Sequence, residues 1–381
     1  MDLAVLGLVL LAVRLADCFL DPLIGLLRDR YPAQRLRMML GAGILLAAGY
    51  ACLFNPPAML GAGALVGWLV ACLLIVYLSF SVLMIHYYAA GVSIGVAADA
   101  TRVSAYRETG MLAGVLLASL LPPLLAAQFA ELSYRWLAAI FAITLLVGVS
   151  VTLRLPVFRH VASTAAAMPV RWYDFMTCLR DAPTRYVLLV LLLNSIPSAI
   201  TGTLFLFFTA DVLHATDTQA GLLLVLYFIS AAVAIPLWSM LSRHIGLRRS
   251  LAAGMVLAIV SFVFAYGLGR GDIAAFAIIC AVSGAAVGAD LALLPAMFAR
   301  ALQRMPEVSG VGFGLWHFTN KLTLALAAGV ALPLLAWAGY VPAGSASINV
   351  LSLAYAAIPC LMKLGAFAVL MFGAPKQEEF P

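Results

Sequence analysis

Arg14, Asp17 and Asp21 lie in the run Arg14-Leu15-Ala16-Asp17-Cys18-Phe19-Leu20-Asp21-Pro22, inside an apolar segment covering residues 2 to 27. A charge at the centre of a membrane helix costs at least about 2.5–3.5 kcal/mol. Three of them in one segment point to a function. Asp17 and Asp21 are four residues apart and project from one helix face, with Arg14 one turn earlier on nearly the same stripe. Two carboxylates and a guanidinium facing a shared cavity can bind a cation. Like charges one turn apart repel each other, which favours a sodium ion or a proton between them. The alternative is an internal salt bridge with Arg14 that only holds the helices together.

The elements that position these residues follow from composition. Hydrophobic residues make up 65% of the 381-residue chain and charged residues 10%, against about 25% charged in soluble domains. Mean hydropathy is +1.09. The chain reads as an all-α polytopic membrane protein. A bilayer core of about 30 Å needs about 20 apolar residues per helix, and eleven segments qualify: 2–27, 37–55, 62–94, 106–128, 135–154, 185–211, 216–242, 248–269, 272–301, 309–338 and 348–372.

The net charge of +6 does not imply nucleic acid, because the basic residues fall in alternate loops. Arg28, Arg30, Arg35 and Arg37 form one group. Arg102 and Arg107, the five arginines between Arg154 and Arg185, Arg243 to Arg249, Arg300 and Arg304, and Lys376 form the others. The opposite loops hold only Arg135 and Arg270. This positive-inside pattern puts the C-terminus in the cytoplasm and, with eleven crossings, the N-terminus outside. A polar stretch from Val157 to Thr184 separates five segments from six. Trp172, Tyr173 and Phe175 in it predict either a short surface helix or a solvated linker. The six cysteines and five histidines lack metal-ligand spacing, and no GxSxG, HExxH, P-loop or dinucleotide turn is present, so nothing points to an enzyme or a cofactor.

The run Arg14-x-x-Asp17-x-x-x-Asp21-Pro22-x-x-Gly25-x-x-x-Asp29-Arg30 resembles the second helix of the glycoside-pentoside-hexuronide cation symporters, the major facilitator branch that includes melibiose permease. Ser104-Ala105-Tyr106-Arg107 is similar to the entry of that family's fifth helix, and Gly310-x-Gly312-x-Gly314-x-Trp316-x-x-x-Asn320-Lys321 to its eleventh. The resemblance implies a major facilitator fold of two pseudo-symmetric helix bundles lacking the first helix. It divides the chain into an N-terminal bundle at 1–155, a cytoplasmic linker at 156–184 and a C-terminal bundle at 185–381. It also leads us to expect that Met1 is an internal start or that the chain is truncated, with about one span missing, the alternative being a native eleven-helix variant.

The resemblance further implies roles for individual residues. Asp17 and Asp21 match the family's coupling-cation acids, joined by the hydroxyl of Ser81. Leu20 replaces a further ligand, which makes a proton-only version more plausible. Tyr88 matches an aromatic sugar platform and His86 stands near it, although Met84 replaces the family's sugar-gripping acid. A stripe of tyrosines on a membrane helix is more often packing or interfacial anchoring. Arg107 matches an arginine at the cytoplasmic mouth of the substrate path. Lys321 matches a lysine near substrate and cation, with Asn320, Trp316 and His317 beside it. Asp290 follows a small-residue run that admits a close neighbour helix, and is expected either to pair with Lys321 or to carry a proton. Lys363 reads as snorkelling or structural. Asp29, Arg30 and Arg35 resemble the gating loop that closes the inward side.

The expected function is symport of a sugar or sugar-like solute with sodium or protons by alternating access. The setting is a cell membrane, the bacterial inner membrane, with lipid as the surrounding partner and a monomeric state. The other reading is a non-transporting sensor or degenerate transporter.

Overall fold

A computed structural model describes residues 3–57, 59, 61–92, 97–129, 133–154, 173–340 and 348–375. Among these residues every regular element is helical. In order they are α1 Leu3–Arg30, α2 Arg35–Phe54, α3 Ala62–Val92, α4 Ala97–Phe129, α5 Ser133–Arg154, α6 Asp174–Arg180, α7 Ala182–Phe207, α8 Asp217–Ile245, α9 Leu247–Phe262, α10 Ile273–Leu302, α11 Ser309–Trp337, α12 Ile348–Ser352 and α13 Ile358–Phe372. The π-helical turn Leu353–Ala357 joins α12 to α13, and another, Phe208–Val212, extends α7. Taking α12 and α13 as one interrupted helix and leaving out the short α6, the long helices coincide with the eleven apolar segments. Eight of the helices among the described residues are long and apolar enough to cross a membrane.

Local chemistry sets the helix ends. Asp181 accepts from Thr184 N at 3.0 Å and Pro183 occupies the first turn, so α7 begins there. Thr216 and Gln219 form a reciprocal capping box for α8. Gly246 ends α8 and starts α9 at φ 83°, a backbone that a side chain would resist.

The chain divides into two compact units: Met1–Gly95, Leu117–Leu179 and Leu302–Phe318 form unit 1, while Val96–Leu116, Arg180–Ala301 and Thr319–Pro381 form unit 2. The opening turns of α11 thus group with α1, and the first part of α4 groups with unit 2.

In unit 1, α3 packs on α1 and α2, and α2 packs on α5. Tyr50 and Phe141 bring their ring centroids to 4.1 Å, Phe54 stacks on Tyr134 at 10°, and Trp68 Nε1 donates to Cys52 O at 3.1 Å. The short α6 buries Phe175 and Cys178 against Leu26, Val308 and Val311. This part of the polar stretch is therefore packed, whereas Arg159, His160, Arg171 and Trp172, like Lys376, lie outside the described residues.

In unit 2, α13 packs on α7 and α9, and α9 packs on α8. The small-residue run on α10 permits close contact on two sides. A Cβ at Gly288 would lie 2.9 Å from Ala231 O, one at Gly284 would overlap Tyr227 O, and Gly254 of α9 faces Ala289. Phe208, in one π-helical turn, stacks on Tyr355, in the other, with centroids 4.1 Å apart.

Candidate functional site

Asp17, Asp21, Gly25 and Asp29 recur every fourth residue of α1 and so form one stripe. Asp17 and Asp21 are both buried. The hydroxyl of Ser81, carried by α3, donates to Asp17 Oδ1 at 3.3 Å. The structure therefore brings together residues 64 positions apart that sequence reasoning assigned to one cation site. Arg14 is exposed and makes no ion pair among the described residues. The internal salt bridge considered for it is not present among the described residues. Two carboxylates and a hydroxyl supply the hard oxygen donors that a proton or a sodium ion takes. No group of three or more His, Cys, Asp or Glu residues able to hold a metal occurs among the described residues.

Farther along the stripe, α1 meets the opening turns of α11. A Cβ at Gly25 would overlap Gly310 O, one at Gly310 would lie 2.6 Å from Asp29 Oδ1, and one at Gly314 would lie 2.7 Å from Asp21 O. The alternating glycines of α11 are thus what let the two backbones approach. Asp29 uses both oxygens there: Oδ1 accepts from Arg28 Nη1 at 2.6 Å and lies 3.6 Å from Arg35 Nη2, while Oδ2 accepts from Val311 N at 2.8 Å. A carboxylate at the N-terminus of α11 satisfies an N–H that has no partner within its own helix and faces the positive end of the helix dipole. Arg28 Nη1 also donates to Ser309 Oγ at 3.2 Å, and Arg35 Nε donates to Arg28 O at 3.2 Å.

Of the expected gating residues, Asp29 and Arg35 join this network. Arg30 is exposed and lies over the Tyr31 ring, 5.7 Å from its centroid. Arg28, read from the sequence as one more loop charge, is only 3% exposed and sits at the network's centre. The burial comes from Ser309 and Asp29, and no local signal around Arg28 shows it.

The aromatic candidates are packed. Tyr88 is buried, with edge contacts to Phe313 at 5.5 Å and His317 at 5.1 Å. Trp316 is buried and meets Phe313 edge-on. His86 is buried, with Nδ1 2.7 Å from Val82 O one turn back, while its Nε2 has no hydrogen-bond partner among the described residues.

In unit 2, Arg107 Nε donates to Glu108 Oε1 at 2.9 Å and Arg107 Nη2 to Ser104 Oγ at 3.2 Å. Glu108 is 2% exposed and was not singled out in the sequence, although its place beside Arg107 in an apolar helix is the signal that could have found it. Lys321 and Asn320 are half-buried. Asp290 pairs with Lys363 Nζ at 2.8 Å, not with Lys321 as expected. Of the two roles expected for Lys363, snorkelling and structural, the buried pair fits the structural one, because α13 carries Lys363 into the interior of unit 2.

The profile of a family described as MFS/sugar transport protein matches residues 1–375. Comparison with curated protein sequences finds no match. Among solved structures, the chain is similar to a bacterial homologue of the iron transporter ferroportin in an outward-facing state, with 16% identity over 97% of this chain and 90% of that one and a TM-score of 0.74. It is also similar to the human organic anion transporter MFSD10 (TETRAN), at 18% identity, 94% and 83% coverage and a TM-score of 0.71. The proton:xylose symporter XylE bound to 6-bromo-6-deoxy-D-glucose matches at 12% identity, 98% and 88% coverage and a TM-score of 0.68. At these identities the three structures establish the fold. With the family profile running nearly from end to end, the chain belongs to the MFS/sugar transport protein family and is a multi-pass membrane transporter of the major facilitator fold, not an enzyme.

Proposed function

We propose that this transporter couples downhill entry of sodium ions or protons to uptake of a sugar or sugar-like solute. The observation that carries the reading is the hydrogen bond from Ser81 to Asp17 on a helix that buries a second carboxylate, Asp21, one turn away. A buried pair of acids is costly unless a cation or proton joins it. Occupancy of that site is then the event to which solute binding is linked. Coupling of this kind is reciprocal, so solute tightens cation binding by the factor with which cation tightens solute binding.

In this cycle the sequence halves 1–155 and 185–381 rock about a central site, with 156–184 as the connection between them. Arg107, Lys321, Asn320, Trp316, His86 and Tyr88 contribute to the solute path, and His317 and Asp290 to its charge network. The network of Asp29, Arg28 and Arg35 closes the cytoplasmic side, with Arg30 at its edge. The setting is the bacterial inner membrane, with the C-terminus in the cytoplasm and a monomer as the working unit. The family description and the proton:xylose symporter among the similar structures support a sugar-like solute and ion coupling.

The test is solute-induced ion movement in proteoliposomes, using a panel of glycosides and hexuronides and reading external pH and sodium. The reading predicts that at least one solute drives proton or sodium entry in fixed ratio to its own uptake. Uptake of a solute with no accompanying ion movement would overturn it.

A further inference from the structure

Unit 2 contains a cavity of about 160 Å³ between α7, α8, α9, α10 and the α12–α13 segment. Five aromatic rings stand in its walls, those of Phe205, Tyr227, Phe228, Phe262 and Tyr355. Thr201 and Ser283 also line it, and each hydroxyl donates to a carbonyl of its own helix, at 3.0 Å and 3.5 Å. Their oxygens remain available as acceptors. The single charged residue among the lining residues is Lys363. Its ammonium meets Asp290 Oδ2 at 2.8 Å, and Asp290 Oδ1 is buried with no hydrogen-bond partner among the described residues.

The size, the walls and the charge select a ligand class. An apolar cavity of about 150 Å³ is large enough to take up benzene, and aromatic walls favour a flat ring in edge or offset contact. An ammonium offers three donors, of which Asp290 engages one. A cationic ligand would face Lys363 directly and be repelled. We propose that this cavity binds a small aryl carboxylate, its ring among the aromatic walls and its carboxylate on Lys363 Nζ.

Charge balance adds a second property. The Lys363–Asp290 pair is neutral, so an anion entering alone would leave one net negative charge in a low-dielectric interior, at high cost. A proton therefore enters with the anion and resides on Asp290. The ligand carboxylate takes over the Lys363 ammonium, and Asp290 becomes a neutral acid; charge and atoms balance with one anion and one proton bound. Among the described residues, Tyr227 from α8 faces Asp290 and Cys360 from α13 faces Lys363, while Cys280 from α10 and Tyr355 line the same cavity. These are phenols and thiols, which carry little charge at neutral pH, so they do not supply the missing positive charge.

The test is calorimetric titration of the full chain in lipid nanodiscs with benzoate and with its neutral isostere benzyl alcohol, in two buffers of different ionisation enthalpy. The expected result is saturable benzoate binding at least about tenfold tighter than benzyl alcohol, the weight of one charge-assisted hydrogen bond, with uptake of one proton per benzoate. Asp290→Asn is expected to keep benzoate binding and lose the proton uptake. The double variant Lys363→Met with Asp290→Asn leaves no buried charge unpaired, so it is expected to fold, to bind benzyl alcohol and to lose the preference for benzoate. Equal affinity for the two ligands, benzoate binding without proton uptake in the wild type, no saturable binding at millimolar benzoate, or a preference that survives in the double variant would each overturn the proposal.

Discussion

Replacing Asp29 by alanine removes the acceptor around which α1 and the opening turns of α11 are arranged. In the wild type both oxygens are used, by Arg28 at 2.6 Å and by Val311 N at 2.8 Å, and Arg35 stands 3.6 Å away. The substitution leaves the Arg28 guanidinium, only 3% exposed, without its counter-charge. Breaking a buried pair from one side costs about 3–5 kcal/mol. Cys178 reports on this contact, because it is fully buried in the cluster of Leu26, Val308 and Val311. If local opening is fast relative to labelling, the rate of maleimide reaction follows the open population, and every 1.4 kcal/mol is about tenfold. Cys178 should therefore react about two orders of magnitude faster or more in Asp29→Ala, while Cys280, buried in unit 2, keeps its rate. Removing both charges in Arg28→Leu with Asp29→Leu should recover part of the protection, since the buried Arg28 charge is gone and only the more exposed Arg35 loses its carboxylate. Unchanged labelling of Cys178 in Asp29→Ala, or no recovery in the double variant, would show that the Arg28–Asp29 pair does not hold α1 against α11.

Two further outcomes follow from the packing and the loops. Gly314→Val places a Cβ 2.7 Å from Asp21 O and should cost about 1–3 kcal/mol of stability, read as a lower melting temperature in detergent, whereas Gly114→Ala, with nothing within 4 Å and inside a helix, should not lower it. Burial, together with its hydrogen bond to Asp211, pushes the Tyr340 phenol above its ordinary value of 10.0. A group raised in the folded state stabilises fully below its unfolded value, so this contribution should hold up to about pH 10 and fade above it; Tyr340→Phe should flatten that alkaline loss in a thermal-melt series.

Much of this architecture was legible in the sequence because the bilayer allows few solutions. Eleven apolar segments of spanning length had to become helices, since only helices and closed barrels satisfy the backbone in hydrocarbon. The α1 stripe was legible for a related reason: charges within an apolar run are rare, and a spacing of four places Asp17, Asp21, Gly25 and Asp29 on one side. Partners that come from distant positions were not legible. Ser309 and Val311 reach Arg28 and Asp29 across 281 and 282 residues, and nothing near Arg28 distinguishes it from the exposed Arg30. Lys321 and Lys363 each stand alone in an apolar helix, so only packing shows that α13, not α11, carries the partner of Asp290. Tyr88 matched a sugar platform by position, and its edge contacts with Phe313 and His317 became visible only with α11 in place.

The most direct test of the coupling role assigned to Asp17 compares wild type with Asp17→Asn in proteoliposomes. It measures uphill accumulation and equilibrium exchange of whichever solute drives ion entry. Asp17→Asn is expected to abolish accumulation while some exchange survives, because the amide cannot take up the coupling charge beside Ser81 and Asp21. Wild-type accumulation by Asp17→Asn would remove the acid pair from the mechanism.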